Sequence, residues 1–309
     1  MAERNFFELL EAQWAKGKFA CIGIDPVENE LRKLYGGLSG RGILEQFCQS
    51  VVMATREWAG VFKPNYAFFE GFGLVGLSVL YELVRWIHIE APEVPVILDC
   101  KRMDIGNSNV GTVASIFDKI GADAITVHNY LGAEAAKPLL DRKNKGIIVL
   151  CHTSNSGAPR IQHLECMDPD KPERGRRPLY QHVALQVAEE WNYNGNCGLV
   201  TGGTYADEIA SIRQIVGDMF LLIPGAGSQG ALVSDIVPRA VNSQNNGGYA
   251  INSSSAIIFA STNKKFLGRH PEFANSSPER HFQAVGLAAR EFDEEIRRCM
   301  QELQLDQAS

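Results

Sequence analysis

The sequence predicts a single closed (β/α)8 barrel, and three observations carry that prediction. Short apolar runs of strand length alternate eight times with longer stretches of helical spacing over 309 residues. Many of the short runs end in polar, ionisable or glycine-rich clusters: GIDP, KPN, DCKRMD, CHTSN, TGG, PGAGSQG and NSSS. No linker-like stretch or short-period repeat divides the chain. An open, doubly wound sheet shares the same alternation, and periodicity alone leaves it as the alternative.

Taken in order, the strands are expected at 20–25 (ACIGID), 61–64 (VFKP), 95–99 (PVILD), 124–127 (AITV), 146–151 (GIIVLC), 197–200 (CGLV), 220–223 (FLLI) and 249–252 (YAIN). They read as continuous apolar runs because parallel strands are buried on both faces. Helical spacing is expected at 44–59, 110–120, 179–191, 205–216 and 279–303, the last pairing Phe282, Val285, Leu287, Phe292 and Ile296 with a charged remainder. The one domain thus spans 1–309, with helical extensions at both termini. The longest irregular stretch, 153–178, follows the fifth strand and is expected to act as a lid over the barrel mouth. Its Arg174, Arg176 and Arg177 read as a solvated surface, not a phosphate clamp.

Composition narrows the function. Thirty-six acidic against 30 basic residues leave a net charge of −6, which argues against a general nucleic-acid binder. Seven scattered cysteines without a CxxC pair read as reduced thiols, not a disulfide framework or a zinc site. The N-terminal segment carries charges within its apolar run and lacks a small-residue cleavage site, so it does not read as a secretory signal. No apolar run approaches the length of a membrane span. A soluble, cytoplasmic protein is expected.

The sharpest chemical feature is Asp99-Cys100-Lys101-Arg102-Met103-Asp104. Asp99 and Lys101 are two apart at a strand end, so their side chains point to the same side, which in a barrel is the mouth. Asp104 lies in the following loop. Alone, the pair also admits the plainer reading of a strand-end salt bridge. Lys63, ending the neighbouring strand in VFKPN, adds a second cation to the array, and such charges must compensate one another in a water-poor pocket. Asp25 offers a carboxylate suited to sugar hydroxyls, or else a turn before Pro26. At the seventh and eighth strand ends, Pro224 to Gly230 and Asn252 to Ser255 stand where barrels bind phosphate.

Together, DCKRMDIGNS, FKPNYAFFE, CHTSN, GLVTGGTY, PGAGSQG and INSSSAIIFAS resemble the orotidine 5′-phosphate decarboxylase family, in particular its longer bacterial-type branch, also seen in protozoa. The likeness runs in order from about residue 19 to 262. It implies a TIM barrel that forms a homodimer and converts orotidine 5′-monophosphate to UMP and CO2, the last step of de novo pyrimidine synthesis, with no metal or cofactor. By position, it implies a charged tetrad of Lys63, Asp99, Lys101 and Asp104, with Asp104 reaching the partner's site and Lys101 protonating C6. Asp25 and Lys63 would hold ribose hydroxyls, with Ser108 reaching the ribose from across the dimer where the family usually has threonine. Thr153 and Ser154 would address the base, and Gln229 and Gly230 the phosphate.

Two departures stand out. Ser255 occupies the place of the family's usual phosphate arginine. A charge-assisted hydrogen bond is worth about 1.5–3 kcal/mol, so its loss weakens recognition by about 10- to 150-fold. Arg269 is one candidate to compensate. His152 stands where the branch commonly has lysine, and reads as a hydrogen-bonded structural residue. Two other readings are a nucleotide-binding pseudoenzyme, motivated by Ser255, and a sugar-phosphate enzyme using Mg2+, against which Lys63 argues.

Overall fold

The computed structural model describes residues 4–38, 40–226, 230–244 and 246–308. The eight expected strands form: β1 (Ala20–Ile24), β2 (Ala59–Pro64), β3 (Ile97–Leu98), β4 (Ala124–Val127), β5 (Gly146–His152), β8 (Cys197–Thr201), β9 (Phe220–Pro224) and β10 (Tyr249–Ser253). Between β5 and β8 lie two further short strands, β6 (Glu165–Met167) and β7 (Arg176–Pro178). The eight long-expected strands pair in parallel in the order β2-β1-β10-β9-β8-β5-β4-β3. Isolated bridges from Phe62 to Val96 and from Asn65 to Asp99 bring the outer two together. The Phe62 N–H donates to the Pro95 carbonyl and the Asp99 N–H to the Pro64 carbonyl, both at 3.0 Å, so the sheet closes. The open-sheet alternative is therefore excluded.

Closure sorts side chains by the two-residue period of each strand. Cys21, Val61, Ile97, Ala124, Ile148, Phe220 and Ala250 fill the lower interior, and Phe6 and Leu10 of the N-terminal helix Phe6–Trp14 plug it from below. The opposite strand faces and the surrounding helices make a second, larger core. One step up the interior, the same alternation presents Lys63, Asp99, Thr126, Leu150, Val200, Leu222 and Asn252 to the mouth.

Helices form largely where expected. Arg41–Thr55 stops four residues short of the predicted end at 59, because Ala59 and Gly60 already belong to β2. Gly60 passes so close to the loop before β1 that a Cβ there would stand 2.5 Å from the Lys18 carbonyl oxygen, a contact no helix side chain tolerates. The stretch 110–120 is split between Gly106–Val113 and a π-helical continuation, Ala114–Ile120, while the last helix runs Pro278–Ala308.

The 153–178 segment is not irregular. It folds into a helical turn, Pro159–Gln162, and an antiparallel hairpin of β6 and β7, with Glu165 opposite Pro178 and Met167 opposite Arg176. The Leu179 N–H closes it on the Leu164 carbonyl at 2.9 Å. Arg174 pairs with Glu189 at 2.9 Å on the surface, as expected of a solvated arginine. All seven cysteines are free thiols. Among the described residues, no helix is long and apolar enough to cross a membrane.

Candidate active site

At the C-terminal ends of the strands lies a cavity of about 580 Å3. Asp99 is its hub. Its Oδ2 accepts from Lys63 Nζ at 2.9 Å, and its Oδ1 accepts from Lys101 Nζ at 2.6 Å and from Thr126 Oγ1 at 2.8 Å. Lys63 and Asp99 are buried, whereas the side chain of Lys101 is half exposed and faces the opening. Burial alone pulls Lys63 toward neutrality, but Asp99 and Asp25 outweigh it and hold the ammonium above the ordinary lysine value. Burial alone would also raise Asp99, yet the two lysines hold its carboxyl well below the usual carboxylate range. Lys63 and Asp99 stay charged because each compensates the other.

The backbone at Lys101 is unusual. Its φ of 49° lies in the left-handed region, which costs a non-glycine residue about 1–3 kcal/mol. Two hydrogen bonds to one residue of β4 hold it there. The Lys101 N–H donates to Thr126 Oγ1 at 3.0 Å, and the Arg102 N–H to the Thr126 carbonyl at 3.2 Å. Thr126 therefore sets both the Asp99 carboxylate and the turn that aims Lys101.

On the other wall, Thr153 and Ser154 line the cavity as expected. Thr153 is bracketed by Gln162: its N–H donates to Gln162 Oε1 at 2.9 Å, and Gln162 Nε2 donates to Thr153 Oγ1 at 2.8 Å. Gly202, in the TGG cluster, allows this wall to form, since a Cβ there would lie 2.7 Å from the Ser154 nitrogen. Asp25 also lines the cavity, and its Oδ1 is buried without a hydrogen-bond partner, an acceptor awaiting a donor such as a hydroxyl.

The far end is neutral. Gly225, Ala226, Ser254 and Ser255 line it, with Asn252 beneath. Gly230 is exposed and is not among the residues that line the cavity. Gln229 lies outside the described residues. Arg269 does not compensate for Ser255: it pairs with Glu291 at 2.7 Å and borders a separate surface cavity. Lys63 and Lys101 are the only cations among the described residues lining the site.

Asp104 and Ser108 stand apart from their own chain's cavity and are exposed. Asp104 is nevertheless fixed. Its N–H donates to buried Asn109 Oδ1 at 3.1 Å, and Asn109 Nδ2 returns to its carbonyl at 2.7 Å.

A family model described as the Orotidine 5'-phosphate decarboxylase / HUMPS family matches residues 20–267. The chain belongs to this family. An orotidine 5′-phosphate decarboxylase of Janthinobacterium sp. (strain Marseille) is 40% identical over 264 residues, covering 85% of this chain and 92% of that protein. One of Ralstonia pickettii (strain 12J) is 41% identical over the same shares. The solved structure of Leishmania donovani OMP decarboxylase matches with a TM-score of 0.76 and 29% identity, covering 96% of this chain and 98% of that one.

In this family member the sequence pointed to Lys63, Asp99, Lys101, Asp25, Thr153, Ser154 and Ser255 at one cavity. It passed over Thr126, Gln162 and Asn109. Thr126 carried one usable signal, a polar residue in the inward register of an otherwise apolar strand. His152 is only half satisfied: Nε2 meets His163 Nε2 at 2.9 Å, but Nδ1 is buried with no partner. Burial and the neighbouring His163 push its pKa down to about 4.

Proposed function

We propose that this chain is a carboxy-lyase that converts orotidine 5′-monophosphate to UMP and CO2, without metal or cofactor. The observation that carries the reading is the Lys63–Asp99–Lys101 array, whose accessible end is an ammonium held by an ionised carboxylate. When CO2 departs, the bonding electron pair stays on C6 of the pyrimidine. A fixed ammonium stabilises that developing charge more than it stabilises the substrate, which is what accelerates a reaction. Lys101 then transfers a proton to C6 and regains one from solvent. Asp99 holds Lys101 in place and faces the substrate carboxylate.

Asp25 and Lys63 serve the ribose hydroxyls, the orphaned Asp25 Oδ1 accepting one of them. Thr153 and Ser154 meet the base, and the hairpin-bearing segment 153–178 closes over it as a lid. Ser254 and Ser255, at the far end of the cavity, meet the phosphate, which they bind through neutral donors.

The working unit in this reading is a homodimer in which Asp104 and Ser108 complete the partner's cavity. Three features support it: the outward aim of Asp104, its clamping by Asn109, and the apolar side chains exposed on neighbouring segments, with Ile105 62%, Val110 59% and Tyr130 91% accessible. The protein works in pyrimidine synthesis in the cytoplasm, with no nucleic-acid or membrane partner.

The test is incubation of purified protein with orotidine 5′-monophosphate in EDTA. UMP and CO2 in equal amounts are expected. Binding of UMP with no turnover at saturating substrate would instead make the chain a nucleotide-binding pseudoenzyme, and a Mg2+ requirement would point to sugar-phosphate chemistry.

A further inference from the structure

Three side chains that the cavity does not use meet beneath the 153–178 segment. His152 ends β5, His163 follows the Pro159–Gln162 turn, and Glu208 stands in the first turn of the helix Ala206–Val216. His152 Nε2 and His163 Nε2 are 2.9 Å apart, and His163 Nε2 is 3.5 Å from Glu208 Oε1. All three ligand atoms lie within 4.8 Å of one another. His152 is fully buried, and its Nδ1 has no partner, so no neighbour locks its proton onto Nε2.

Two imidazoles and a carboxylate from three separate elements are a donor set that suits borderline first-row divalent ions. With metal–ligand bonds of 2.0–2.1 Å, the corners of a tetrahedral site are about 3.3 Å apart. The His152–His163 and His163–Glu208 separations bracket that value, and seating an ion needs the imidazoles to part by a few tenths of an ångström and Glu208, within 4.8 Å, to close on His152. We propose that His152, His163 and Glu208 bind Zn2+ or a similar divalent ion, with water as fourth ligand. In the ion's absence the two Nε2 atoms share a single hydrogen bond.

The site has a mechanical consequence. His163 is adjacent to Gln162, which brackets Thr153, so an ion there ties the lid segment to the end of β5 and to the barrel wall at Glu208. None of its three ligands lines the cavity. The ion therefore bears on lid opening and not on the chemical step, and its binding is independent of the proposed reaction.

Co2+ titrated into chelator-stripped protein tests the assignment. The expected result is a one-to-one end point with the visible absorption of tetrahedral Co2+ carrying nitrogen and oxygen ligands, displaced by Zn2+. Both H163A and E208Q should weaken binding by at least about 10-fold. His163 and Glu208 are only partly buried, so neither variant threatens the fold. Zn2+ should also protect the 153–178 segment from limited proteolysis in the wild type but not in H163A. Thiolate-to-cobalt charge-transfer bands, binding undiminished in both variants, or no binding at all would overturn the site.

Discussion

The two ends of the cavity are held by different means. At one end Lys63, Asp99, Lys101 and Thr126 form a closed set of charges and hydrogen bonds on three adjacent strands, rigid enough to keep Lys101 at a positive φ. At the other end Gly225, Ala226, Ser254 and Ser255 offer small neutral groups, with no side-chain cation among the described residues there. The difference shows where precision is required. A group that must stabilise charge on one carbon has to be fixed in advance, because reorganisation at the moment of reaction cancels the gain. A phosphate far from the reacting atom supplies binding energy, which tolerates looser and weaker contacts.

The largest effect is expected when the rigid end is disturbed from outside the chain. K101A and D104A should each be inactive as homodimers, while a mixture allowed to exchange subunits should recover up to about a quarter of wild-type activity, since half the dimers are mixed and carry one intact site. Activity assays on refolded mixtures check this; no recovery would remove Asp104 from the partner's site.

The second largest is expected at the hub. D99A leaves Lys63 buried without its counter-ion and should cost about 3–5 kcal/mol of stability in denaturant unfolding. The same pair sets an acid limit. Asp99 is depressed in the folded state, so its stabilisation is complete above the unfolded carboxylate value near about 4 and is lost as pH falls toward the folded value. The wild-type Tm should therefore fall more steeply than that of D99N on acidification below that point, and parallel curves would contradict the charge assignment.

The third largest is expected at the neutral end. S255R should tighten substrate binding by about 10- to 150-fold, the worth of one charge-assisted hydrogen bond. Unchanged affinity would show that other donors already serve the phosphate. The smallest effect is expected between the ends. Q162A removes the two hydrogen bonds on Thr153 and should raise KM several-fold, equivalent to about 1 kcal/mol, with little change in kcat.

The same contrast explains what the sequence disclosed. Strands buried on both faces leave continuous apolar runs, so all eight barrel strands were legible. Lysine and aspartate at the ends of such runs are conspicuous, because a charge is rare there without a partner; the two-residue spacing of Asp99 and Lys101 pointed to a common side, but the turn held by Thr126 is what aims Lys101 there. Thr126 left only the weak signal of a polar residue in the inward register, because threonine is an ordinary strand former and its partners lie beyond its own strand. Gln162 and the β6–β7 hairpin were hidden for a related reason: strands of three residues are too short to display a period, and Gln162 gains its role only once the segment folds back on Thr153. At the phosphate end, glycine-rich loops signalled anion binding without saying which glycine would face the cavity, and Gly230 does not.

In the proposed reaction Lys101 is the group that stabilises and then protonates the C6 carbanion. The most direct measurement is single-turnover release of CO2 from orotidine 5′-monophosphate in EDTA by wild type and by K101A at saturating substrate. The wild type should turn over, and K101A should be slower by at least about 10^3-fold while still binding UMP. Comparable rates in the two proteins would contradict it.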